Sequence, residues 1–166
     1  MKTAVNSVKM VLIPCILILA LSPFVSSHCQ VPCGIYDDQM RLDMIAEHIT
    51  TIEKSIKMIN ELSADKSANA NQLVRWVNNK DEHCDQLSEI VTYYFMAQRI
   101  APVAKNATGD YDMYISQLSS LHRMMVLSMK AKQTADPAVI EPLRKELEEF
   151  SKLYIDPVKH SDEHKH

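Results

Sequence analysis

The sequence predicts an all-α fold, an up-and-down four-helix bundle. Only two glycines, Gly34 and Gly109, occur in 166 residues, which leaves little material for hairpin turns. Apolar residues in the body of the chain recur at steps of three and four, the period of one helix face. The breaks between these periodic segments are short, and short connections make neighbouring helices antiparallel.

The first stripe is Leu42, Ile45, Ile49, Ile52, Ile56 and Ile59, unbroken over five steps. A second helix is expected from about Asn69 to about Ile100 on Leu73, Val77, Cys84, Leu87, Val91 and Tyr94. Asp65 or Ser67 is placed to cap its start. Residues 106–110 are a break, after which Asp110 can cap a third helix carrying Ile115, Leu118, Leu121, Met125 and Met129. Asp136-Pro137 reads as an N-cap followed by proline at the first helical position. The fourth helix uses Ile140, Leu143, Leu147, Phe150 and Tyr154, and Pro142 predicts a later start or an irregular first turn. The bundle thus occupies 37–155. The remainder, 156–166, ends in HSDEHKH and is expected to be a disordered tail.

The chain opens with an apolar leader. Lys2 and Lys9 stand without an acid, a run from Met10 to Leu21 follows, and Val25 and Ser27 occupy the −3 and −1 positions before His28. That is the pattern of a signal peptide cut after Ser27, which sends the chain to the cell exterior, a periplasm or an organelle lumen. A membrane span needs about 20 apolar residues, and this run is shorter and holds Pro14. The expected mature chain has no stable membrane span. Removing 1–27 leaves 139 residues with 16 basic and 21 acidic side chains, a charge of −5 with histidine neutral. That length suits a single core, and the acidic balance argues against nucleic acid as a partner.

Three cysteines remain: Cys29, Cys33 and Cys84. An odd count in an exported chain asks for a second use of thiols. Cys84 lies on an apolar stripe and reads as a buried small hydrophobe. His48 and His122 read as helix-surface or edge residues, and most of the methionines as core and interface filler. Asn106-Ala107-Thr108 is a glycosylation triplet that chance alone often produces.

The bundle leaves residues 28–36, HCQVPCGIY, unexplained. If cleavage makes His28 the N-terminus, its amine is easily deprotonated, since the pKa of such a group lies near ~7.7–8.0. That amine, the Cys29 amide nitrogen and the Cys29 thiolate would form two fused five-membered chelate rings. The Cys33 thiolate can close a fourth corner and the His28 imidazole can reach an axial position. Pro32 and Gly34 favour a tight reversal between the thiolates. Such an N2S2 set suits a metal that accepts a square plane, Ni(II) or Cu(II) before the tetrahedral Zn(II). Spacing alone also admits a Cys29–Cys33 disulfide, the usual fate of a cysteine pair after export. The chain would then be an exported helical binding or interaction protein with a metal-sequestering histidine tail.

HCQVPCGIY resembles the N-terminal hook of the nickel superoxide dismutase family, H-C-x-x-P-C-G-x-Y. Every fixed position matches: His28, Cys29, Pro32, Cys33, Gly34 and Tyr36. The resemblance implies a short metal-binding hook ahead of a four-helix bundle, one nickel ion per chain, superoxide as substrate, and a homohexamer. It implies that nickel alternates between Ni(II) and Ni(III) as superoxide becomes O2 and H2O2. Carried over by position, His28 supplies the amine and axial imidazole, Cys29 the amide nitrogen and a thiolate, and Cys33 the second thiolate. Tyr36 would cover the vacant face and limit access. Gln30 stands where many members have Asp. The family's partners of the axial imidazole, a Glu on the first helix and an Arg on the second, have only Asp43 and His83 as nearest counterparts here.

Overall fold

A computed structural model of the chain describes residues 37–65, 69–107 and 109–162, with side chains described to 155. These residues fall in one compact unit, Gly34–His166. Helix α1 is Asp38–Ala64 and α2 is Ala70–Glu89, which continues without a break into a π-helical segment, Ile90–Arg99. Helix α3 is Asp110–Gln133, and α4 is Ile140–Asp162, led in by a 3-10 turn at Pro137–Val139. No strand occurs among the described residues. Contacts run α1 to α2, α2 to α3, α3 to α4, and α4 back to α1. The expected up-and-down bundle is therefore the one observed.

Helix α1 follows its stripe closely: all six predicted positions are buried, from Leu42 to Ile59. Each large aliphatic residue so buried contributes about 1.5–3 kcal/mol. Its N-cap is Asp37, whose carboxylate accepts from the Met40 N–H at 2.8 Å. Helix α2 departs from expectation at its start. Asn69 is its cap, accepting from the Asn71 N–H at 2.9 Å. Asp65 instead ends α1, and Ser67 lies outside the described residues. Val77 is exposed, and the buried face of α2 begins at Lys80.

Helix α3 departs further. Gly109, with φ +89°, is its N-cap, and Asp110 is the first helical residue. Glycine tolerates that left-handed φ, and an acid in the first turn favours the helix dipole. The buried face is Ser120, Leu121, Met124, Ser128 and Ala131, while Ile115 and Met129 point to solvent. Asp136 caps the fourth segment as expected, accepting from the Ala138 N–H at 2.9 Å, with Pro137 at the first position. The irregular first turn anticipated from Pro142 is the 3-10 turn. The helix then runs on to Asp162, through part of the segment expected to be tail.

One end of the core is aromatic. Phe95 meets Phe150 edge-on at 4.9 Å and Tyr154 edge-on at 5.3 Å, and Phe150 stacks on Tyr154 at 5.5 Å. Toward the other end the interior holds a buried lysine. Lys80, 3% exposed, donates to the carbonyls of Ala131 and Lys132, both at 2.6 Å, and so closes the last turn of α3.

Candidate metal centre

The hook residues His28, Cys29, Pro32, Cys33, Gly34 and Tyr36 lie outside the described residues, as do the leader and Gln30. What the structure describes is the chain that follows them: the first turn of α1 and what holds it. Asp37 caps that helix, and Asp38, its first residue, turns inward to a dense polar cluster. The Asp38 Oδ1 accepts from the Tyr94 hydroxyl at 2.6 Å and the Arg99 Nε at 2.9 Å. Its Oδ2 accepts from the Arg99 Nη2 at 2.7 Å and the Tyr154 hydroxyl at 2.9 Å. Four donors therefore fill the roughly four acceptor sites of the carboxylate. The guanidinium binds in the two-pronged manner that makes such pairs directional.

Burial works against the Asp38 charge, but the hydrogen bonds from Arg99, Tyr94 and Tyr154 and the Arg99 charge outweigh it. They hold the carboxyl below its ordinary value. Burial and the facing carboxylate push the Tyr94 phenol up, and raise that of Tyr154 to about 12. Both tyrosines therefore stay neutral donors at any ordinary pH. Arg41 lies over the Tyr94 ring, its guanidinium carbon 5.0 Å from the centroid.

The π-helical segment explains how two donors on one helix reach a single acid. Tyr94 and Arg99 are five residues apart. At 3.6 residues per turn they would point about 140° apart. In the wider turn of a π-helix, where each N–H bonds five residues back, that angle narrows considerably. The segment ends in such a bond, from the Ile100 N–H to the Phe95 carbonyl at 2.9 Å.

The two residues expected beside the axial imidazole are described, while that imidazole is not. Asp43 is exposed and accepts from the Gln39 amide at 2.9 Å. His83 faces His48 across α1 and α2, with the two Nδ1 atoms 2.9 Å apart. At least one of these rings must be neutral to accept the bond. Burial, and then the His83 charge, lower the His48 pKa against the opposing pull of Glu47. His122 is exposed on α3, as expected of a helix-surface residue. The cluster around Asp38 escaped the sequence reading. Its one visible trace is opposite charge at Asp38 and Arg99, at the start of one helix and the end of its antiparallel neighbour.

Among the described residues no group of three or more His, Cys, Asp or Glu is arranged to hold a metal ion. Cys84 is fully buried, and burial raises its thiol to about 11, so it is protonated and enclosed. Outside the described residues, the HCQVPC run carries a histidine and two thiols, donor types that suit Ni(II) or Cu(II). No described helix is long and apolar enough to cross a membrane. A family model described as nickel-containing superoxide dismutase matches residues 23–157, which takes in 28–36, helices α1 to α3 and most of α4. No curated protein and no solved structure matches the chain.

Proposed function

Because the chain belongs to the nickel-containing superoxide dismutase family, and so is a nickel-dependent oxidoreductase acting on superoxide, we propose that its active centre is the segment 28–36, assembled by cleavage after Ser27. His28 would hold the metal through its new amine and its imidazole, Cys29 through its amide nitrogen and thiolate, and Cys33 through its thiolate. Bound nickel supplies one-electron chemistry, alternating between Ni(II) and Ni(III). Two superoxide ions and two protons then give one O2 and one H2O2. Pro32 and Gly34 set the reversal between the thiolates, and Tyr36 restricts access to small species. Thiolate and deprotonated amide are strong donors, which suits the higher oxidation state. The chain would act as a homohexamer outside the cytoplasm, the leader serving both export and the exposure of the His28 amine.

The observation that carries this is the family match running through a complete H-C-x-x-P-C-G-x-Y pattern just after a processing signal. The test is mass spectrometry of the mature N-terminus paired with metal analysis. A start at His28 with one nickel per chain is expected. A start elsewhere, or an oxidised Cys29–Cys33 pair without nickel, overturns it in favour of a binding protein.

A further inference from the structure

We propose that His48 and His83 form a further metal site, a two-imidazole clasp between α1 and α2 for a divalent ion of the Cu(II) or Ni(II) kind. Neither residue belongs to the hook, and the site does not depend on it. The two Nδ1 atoms lie 2.9 Å apart, with ring centroids 5.1 Å apart and planes inclined at 56°. Two nitrogens each about 2.0–2.1 Å from one metal, at right angles to each other, are about 2.9 Å apart, whereas a tetrahedral ion spreads them to about 3.3 Å. The pair therefore has the separation of neighbouring corners of a tetragonal ion. A shared proton joins the rings now, and turning each ring about its side-chain bonds brings both lone pairs to a common point beside that bond. As an ion enters, the neutral ring that donated the proton gives it up at Nδ1 and carries one at Nε2 instead. Two metal–nitrogen bonds thus form and that ring stays neutral.

The helices set this bite before any ion arrives. Ile45, Ile49 and Ile52 around His48 on α1 are fully buried, as are Cys84 and Leu87 next to His83 on α2. Core packing thus holds both backbones, and sites carried on packed helices are more exact than sites on loops. Along the same seam the Asn79 amide on α2 donates to the Ser55 hydroxyl on α1 at 2.9 Å, which fixes the register of the two helices. The rings themselves are only half-buried, so solvent and a dissolved ion reach them. Burial, with the His83 charge, favours the neutral form of His48, the form that ligates, while the Glu47 carboxylate favours a cation there. Among the described residues no third His, Cys, Asp or Glu joins the pair. Water therefore completes the coordination, and the bound ion stays exchangeable.

The test titrates Ni(II) into the purified mature chain, with the hook and the histidine tail present in every variant. It compares His48→Gln and His83→Gln with a control, His122→Gln, at a histidine exposed on α3. Calorimetry reads the metal taken up, and thermal unfolding reads the midpoint. The unaltered chain and the control should bind one more Ni(II) per chain than either pair variant. The pair variants should bind that ion more than about tenfold more weakly, since loss of even an outer partner of a metal costs that much. An ion that binds only the folded chain raises its midpoint, here by roughly 5–10 °C at a hundredfold excess over its dissociation constant, and both pair variants should lack that part of the rise. In the unaltered chain the imidazole C–H resonances of His48 and His83 should shift or broaden together as Ni(II) is added, a readout that needs no variant. Equal uptake and an equal rise in all four proteins overturn the proposal, as do resonances of the pair that stay unmoved at saturating Ni(II). Only the difference between the pair variants and the other two proteins is read, so failure of the hook leaves this outcome unaffected.

Discussion

The ammonium of Lys80 on α2 lies 2.6 Å from the carbonyl oxygen of Ala131 on α3, and equally close to that of Lys132. A buried lysine is here the C-terminal cap of a neighbouring helix. Replacing it by methionine keeps the stem and removes the donor from two carbonyls. Lys80→Met should cost about 2–4 kcal/mol of unfolding free energy. Urea titration checks this, and an unchanged midpoint refutes the cap.

Acid should destabilise the bundle through two carboxylates. Asp38 and Glu146 both titrate below their ordinary values of 3.8 and 4.5, because hydrogen bonds from arginine and hydroxyl groups overcome burial. The unfolded chain therefore binds protons first. The stability they confer is complete above those ordinary values and declines as pH falls through the lowered ones. Asp38→Asn should remove part of that acid slope, and should also cost about 3 kcal/mol at neutral pH by stranding Arg99. Denaturant midpoints at several pH values between 7 and 3 read both effects.

The histidine pair adds a second pH dependence at milder acidity. His48 is held below its ordinary value of 6.5 by burial and by His83, with Glu47 opposing. The folded protein then carries fewer protons at this site than the unfolded chain, so stability is complete above 6.5 and falls as pH drops below it. One linked proton gives a slope of at most about 1.4 kcal/mol per pH unit. His48→Leu should flatten the profile between pH 7.5 and 5.5, and an unaltered slope would assign it elsewhere.

The proposed hook uses a free amine at His28. Adding one alanine before it should abolish nickel retention and lower kcat/KM more than about a hundredfold, while the helical circular dichroism stays unchanged. Full activity in that extended protein would rule out the amine as a ligand.

How much of this could be read from the sequence differs from helix to helix. Helix α1 is legible because its core positions are all Leu or Ile at an unbroken helical step, and all six are buried. Helix α3 is not, because its interior includes Ser120, Ser128 and Ala131, while Ile115 and Met129 face solvent. Tertiary neighbours, and not hydropathy, decide that face. The burial of Lys80 is likewise invisible, since only α3 supplies its carbonyl partners. The π-helical segment has no signature in the run IVTYYFMAQR, and the bonds that Tyr94 and Arg99 make to Asp38 depend on a distant helix. The hook is legible for the opposite reason. Its proposed ligands are neighbours in sequence, so the full H-C-x-x-P-C-G-x-Y pattern can be recognised there even though spacing alone also admits a disulfide, whereas partners for an imidazole must come from other helices. Asp43 and His83 are described, but the imidazole they were expected to face is not.

The burial of Cys84 has a consequence for the lifetime of the protein. Each catalytic cycle releases a peroxide, and peroxide attacks thiolates rather than thiols. Cys84 is sealed from solvent and holds its proton until about pH 11. The bundle thus keeps its own sulfhydryl in the form least damaged by what the enzyme makes.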